Sequence, residues 1–144
     1  MSDDEGRILQ VLRDQETAIG RGDAEAAISA LADDVVTYDL PPPLEYRGAG
    51  TPAVEGLPEW FTTWQDGVTV ELKDPQVVKD GDLAVVFGLA RMRGIKKDVG
   101  SLDQWHRRTI VLRRRDGIWK ISHEHSSFPM RMDGSGIAAT DLVL

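Results

Sequence analysis

Hydrophobic and polar positions change period along the chain, and each change marks an element. Over residues 7–19 the apolar Ile8, Val11, Leu12 and Ile19 fall on one helical face, and Gly20 and Gly22 supply a stop. Asp23 then stands where an N-cap belongs, with Glu25 in the first turn and Ala24, Ala27, Ile28 and Leu31 at helical spacing. This predicts a second helix ending near Asp33. Residues 35–40 are β-branched and aromatic, predicting a short strand stopped by Pro41, Pro42 and Pro43, which cannot continue a ladder. After an exposed turn at residues 45–48, Thr51 and Pro52 read as the N-cap and first residue of a third helix. Leu57, Trp60, Phe61 and Trp64 form its aromatic stripe, and Pro58 kinks or restarts it.

From residue 68 the period is two. Val68, Val70 and Leu72 face one way and Thr69, Glu71 and Lys73 the other, with a bend or bulge at Pro75. Asp80-Gly81 signals a hairpin into a strand over residues 83–92, and a looser link at 94–101 carries Lys96 and Lys97. The next strand spans 102–115, and Asp116-Gly117 turns it into the last one. There, strict alternation puts Trp119, Ile121, His123 and His125 on one face and Lys120, Ser122 and Glu124 on the other. With the Trp and Ile in the core, both imidazoles point inward. A buried polar group without partners costs a few kcal/mol, so the pair either completes a network or lines a cavity. On the preceding strand Trp105, Arg107, Thr109 and Val111 oppose His106, Arg108, Ile110 and Leu112, and apolar count does not decide which set faces inward. The whole order predicts an α+β domain, a strongly bent antiparallel sheet packed on three N-terminal helices and shaped as a cone with a hollow end.

At 144 residues without a linker-like stretch, one domain is expected over 1–130, followed by a tail at 131–144. The tail holds Gly134-Ser135-Gly136 and then Ile137, Leu142, Val143 and Leu144, which would lie over a neighbouring subunit or fray. Apolar runs are too short to span a bilayer and the N-terminus is acidic, so a soluble protein without export is expected. The absence of cysteine excludes disulfides, thiolate metal sites and a cysteine nucleophile, and fits the cytoplasm. A net charge of -7 repels nucleic acid and anionic lipid, so neither is expected as a partner. Arg113-Arg114-Arg115 reads as a solvated strand end beside Asp116.

Asp39, where the chain leaves its strand, is the candidate general base, since a carboxylate at a dry pocket mouth has its pKa raised toward the working range. Its other reading is a cap on the proline turn. His123 and His125 suit proton relay or substrate orientation, or else a structural network involving Ser127. A His-x-His metal pair with Asp39 or Glu45 is sterically allowed, but nothing fixes a third ligand, so no metal or other cofactor is expected. Trp60 and Trp64 are core residues or a pocket wall. Arg107 is a surface cation or a buried group seeking Asp39, Glu124 or an anionic ligand.

The run Leu31 through Asp39 before a proline-rich turn, Tyr46-Arg47-Gly48, the run Arg107 through Leu112, and the ending Asp116 through Ser127 together resemble the nuclear transport factor 2-like superfamily. Within it the chain is similar to the SnoaL-like, ketosteroid-isomerase-related branch. That resemblance implies a cystatin-like α+β barrel with a ligand pocket at its open end, dimeric through the outer sheet face. It implies a small-molecule ligand, and it favours Arg107 and Thr109 as inward polar anchors. Asp39 matches the position of the isomerase base. The second acid of that constellation has no match, since Thr109 or Ile110 stands there, and the first helix has no tyrosine. The expectation is an acid/base enzyme of isomerase, dehydratase or cyclase type acting on an apolar carbonyl compound, or a non-catalytic binding or dimerisation module.

Overall fold

The computed structural model describes residues 3–50 and 55–144. Helix α1 (Asp3–Arg21) carries Asp3, Asp4 and Glu5 in its first turn and Arg21 in its last, signs that complement the helix dipole. Ile8, Leu12, Gln15 and Ala18 form its buried stripe. Helix α2 (Ala24–Ser29) is capped by Asp23, whose carboxylate accepts from the Ala26 N–H at 3.1 Å. It stops well short of Asp33, because Leu31, Ala32 and Val35 are recruited into β1 (Leu31–Tyr38) and buried there. The expected turn at 45–48 contains a two-residue strand, β2 (Tyr46–Arg47), paired antiparallel with Val36 and Thr37. Thr51 and Pro52, read as a helix start, lie outside the described residues. Helix α3 (Leu57–Thr62) begins afresh with Pro58 in its first turn, where a missing N–H costs nothing.

Trp64 is not part of that helix. It opens β3 (Trp64–Asp80), and β4 (Leu83–Lys96), β5 (Gly100–Arg115) and β6 (Ile118–Ser127) follow. The expected loose link at 94–101 is a tight turn, since β4 runs on to Lys96 and β5 begins at Gly100. Asp116 and Gly117 both take positive φ, at 53° and 78°, as a two-residue hairpin demands. The sheet order is β2-β1-β6-β5-β4-β3, with β1 parallel to β6 and every other pair antiparallel. The sheet is curved and unclosed, and the fold is the α+β cone expected. Ile8 and Leu12 of α1 meet Leu72, Val86, Ile110, Leu112 and Ile121 from the concave face, and all seven are essentially inaccessible.

One irregularity sets the chemistry of the concave face. Leu112 pairs with Ile121, but Val111 pairs with His123, so Ser122 is an extra residue in β6. This is a β-bulge, and it resets the alternation. Trp119 and Ile121 face the core, yet beyond the bulge it is Glu124, opposite the buried Ile110, that faces inward. His123 and His125, opposite Val111 and Thr109, face outward. The strict alternation expected for this strand therefore fails at one residue. On β5 the inward set is His106, Arg108, Ile110 and Leu112, all buried, so Arg107 and Thr109 lie on the outer face, the reverse of what the family resemblance favours.

The tail turns back on the segment that follows β6, where Met130 and Ala138 form an antiparallel bridge. The Ala139 N–H donates to the Pro129 carbonyl at 2.7 Å, the Arg131 N–H donates to the Ile137 carbonyl at 2.9 Å, and Ala139 is buried.

Candidate functional site

At the ends of β1 and β6 a cleft of about 1040 Å³ lies between the proline segment at 41–43 and the returning tail at Ala138. Tyr38, Asp39, His125, Ser126 and Phe128 line its floor. Asp39 and His125 thus border one cleft, although the bulge turns His125 to the outer face. Arg107, Thr109, Trp60 and Trp64 are not part of its lining. Trp64 is buried and packs edge-on against Trp60 at 5.6 Å, and Lys96 lies 4.5 Å over the Trp64 ring while donating to Thr63 Oγ1 at 2.5 Å. The aromatic stripe is wall and core beside α3, with its cation held locally.

Asp39 follows the last residue of β1 and its Oδ1 accepts from the Leu40 N–H at 2.7 Å. One side of the residue is open to solvent, while protein crowds the other side and removes water from the carboxyl. That desolvation, reinforced by the nearby Glu124 charge, holds its pKa above the ordinary value of 3.8 against the opposing pull of the Leu40 N–H and Arg108. Behind it, on the concave face, Arg108 forms a buried ion pair with Glu124 and donates to Gln15 Oε1 at 3.0 Å. Gln15 in turn donates to the Ala27 carbonyl at 3.4 Å. This network ties α1, α2, β5 and β6 together beneath the cleft. The sequence offered Glu124 as the partner of a buried arginine but named Arg107 for that arginine. Arg108 holds the place because the even-numbered residues of β5 face inward, and Glu124 reaches it because the bulge turns Glu124 inward.

His106 lies further along the same face of β5 and is buried. Burial, assisted by the Arg108 charge, lowers its pKa from 6.5 to about 4, so the ring is neutral at ordinary pH. Its Nδ1 has no hydrogen-bond partner, and its ring meets the edge of Phe128 at 5.7 Å.

On the outer face, His123 donates from Nδ1 to the Val36 carbonyl at 2.7 Å, which fixes its tautomer. Tyr38 packs edge-on against both His123 and His125, at 4.8 and 5.3 Å. Among the described residues no three potential metal ligands gather at one point. No described helix is long and apolar enough to cross a membrane.

Helices packed against one face of a bent, unclosed sheet, with a carboxylate bordering an open cleft and a buried polar network behind it, define an α+β cone. Residues 8–131 match the model of the SnoaL-like domain, and the chain belongs to that family. A nuclear transport factor 2-like protein of unknown function from Pseudomonas putida superposes with a TM-score of 0.85 at 26% identity, covering 98% of this chain and 96% of its own. A candidate dehydratase of the same superfamily from Streptomyces avermitilis gives 0.73 at 20% identity, with 86% and 95% covered. A candidate ketosteroid isomerase from Shewanella frigidimarina gives 0.67 at 23%, with 84% and 94% covered. The latter two likenesses establish shared fold. No curated protein matches the chain.

Proposed function

We propose that this SnoaL-like chain binds a small, mostly apolar carbonyl compound in the mouth cleft and performs proton-transfer chemistry on it, of the isomerase or dehydratase type, with Asp39 as the base. The observation that carries the reading is a carboxylate with a raised pKa in a cleft walled by proline, leucine and phenylalanine. A base of raised pKa holds its proton more readily once it has taken it; the Glu124 charge behind it adds to that hold and the Arg108 charge opposes it. His125 borders the same cleft and is the group placed to exchange that proton with solvent. The candidate dehydratase and isomerase among the structural relatives make those reaction types the first to test. The reading includes a homodimer joined through the sheet face that the helices leave uncovered.

The test is a screen of enone isomerisation and hydroxy-ketone dehydration on wild type and Asp39→Asn. Turnover in the wild type that falls at least a hundredfold in the variant is expected for loss of a positioned base; equal rates would remove Asp39 from the chemistry. The variant should fold normally. Since the folded state raises this pKa, the ionised carboxylate costs stability above its folded pKa and ceases to as pH falls below it. Asp39→Asn should therefore be as stable as wild type or more so at about pH 7, with the difference vanishing in acid.

A binding role without turnover has one specific observation in its favour. Arg108, the cation acting on Asp39 from the concave face, is already engaged by Glu124 and Gln15 and so is not free to stabilise an enolate. Thermal stabilisation by carbonyl compounds that are never converted would select that reading.

A further inference from the structure

Among the described residues three buried polar side-chain atoms lack a hydrogen-bond partner: the indole nitrogens of Trp64 and Trp119, and His106 Nδ1. Indoles only donate, whereas a neutral imidazole presents one donor and one acceptor. Leaving such a group unmade in the interior costs about 1–3 kcal/mol, which a fold tolerates where the group serves something else. The neighbouring polar groups leave His106 out. Arg108, two residues along the same face, is taken by Glu124 and Gln15, and opposite His106 on β4 stands only Ala90.

His106 is also one side chain from the cleft. Phe128 lines the cleft and sets its ring edge against the imidazole at 5.7 Å. We infer that His106 is the polar anchor at the deep end of the ligand site, reached past Phe128, and that it selects ligands bearing an uncharged hydroxyl or carbonyl over carboxylates and phosphates. This rests on the cleft being a ligand site, and it names the chemistry that site accepts. A hydroxyl both donates and accepts, so it satisfies either tautomer of a neutral ring. A carboxylate is not drawn there by Arg108, two residues along, because that cation is already paired with Glu124. Desolvation keeps the ring uncharged at ordinary pH, so it cannot recruit an anion by protonation.

The probes are 2-naphthol, 2-naphthoate and naphthalene, equal in framework and different in the polar group. Wild type should bind 2-naphthol about tenfold more tightly than either analogue, the worth of one good buried hydrogen bond. His106→Phe, close in shape and apolar, should keep naphthalene binding and bring the three affinities level. Nitrogen-15 spectra of the wild type report on the same point without a substitution, since the chain has only three histidines. The His106 ring nitrogens should shift on adding 2-naphthol, and those of His123 should not. If the probes bind but the preference survives in His106→Phe, or the His106 nitrogens stay still, the anchor is overturned and the cleft stands. If none of the three binds wild type, the cleft reading falls and takes the anchor with it.

Discussion

At the scale of single residues, the interior divides into groups that are paired and groups held neutral. Arg108 and Glu124 are the former, and His106 is the latter. The folded state refuses His106 a proton until about pH 4, while the unfolded chain accepts it near 6.5. Unfolding therefore gains progressively as pH falls between those values, and the loss of stability from this one ring totals roughly 3 kcal/mol. Above about pH 6.5 the ring is neutral in both states and contributes no pH dependence. Urea unfolding of wild type and His106→Phe from about pH 7 to about pH 4 checks this. The stability difference between them should move in favour of the variant across that window. A difference that stays constant with pH would mean that water reaches the ring. The sequence put His106 in view as one member of a face but gave no means of choosing that face, because both sets on β5 mix one or two cations with apolar residues. The choice is made by contact with Ile8 and Leu12 of α1, which no local pattern reports.

At the scale of elements, what was legible was whatever depended on neighbours in sequence. Asp23 caps α2, Asp116-Gly117 makes a two-residue turn, and Pro75 marks a break in β3, each because of local backbone chemistry. What was not legible was register. A single extra residue at Ser122 exchanges the faces of His123 and Glu124, and nothing in the composition of β6 announces it. The bulges of β3 leave a trace on the partner strand instead. Its pairing with β4 shifts between Gln65 and Val68 and again between Lys73 and Gln76, and Gly94 and Gly88 stand opposite these sites. A Cβ at Gly88 would come within 2.9 Å of the Lys73 carbonyl, and one at Gly94 within 2.8 Å of the Trp64 ring. A backbone carbonyl cannot swing aside as the end of a side chain can. Gly88→Ala is expected to lose about 1–3 kcal/mol by overpacking. Gly6 is the control: it lies within α1 with nothing within 4 Å, so Gly6→Ala should gain about 0.5–1 kcal/mol. Urea denaturation of both variants tests the pair, and a neutral Gly88→Ala would show that β3 moves to accommodate the methyl.

At the scale of the whole molecule, the helices cover one face of the sheet and leave the other to solvent. A sheet open to water on one side ordinarily turns polar residues outward. Here the outer face shows Val78, Phe87, Leu89 and Tyr38, all more than a third exposed, beside the half-buried Val85, Trp105 and Val111. Phe87 pairs with Thr109, Thr109 with His125, and His125 with Tyr38, so these side chains form one continuous row across four strands. Charge flanks it: Lys73 and Arg107 stand across from Leu89 on β3 and β5, and beyond them lies the Arg91–Asp103 pair, whose guanidinium also covers the Trp105 ring at 5.3 Å. An apolar centre with a charged margin is the anatomy of an interface between proteins. The proposed homodimer puts Phe87 near its centre, in the row with Thr109, His125 and Tyr38, and a carboxylate there would lose its water on assembly. Phe87→Glu should therefore convert a dimer to a monomer in sedimentation velocity while leaving the circular dichroism spectrum unchanged. Lys120→Glu, exposed on the same strand as His125 but nearer the Asp116-Gly117 turn, should leave the assembly intact. Wild-type protein sedimenting as a monomer at high concentration would refute the dimer. It would leave the cleft untouched, because every residue assigned to binding or proton transfer there comes from one chain.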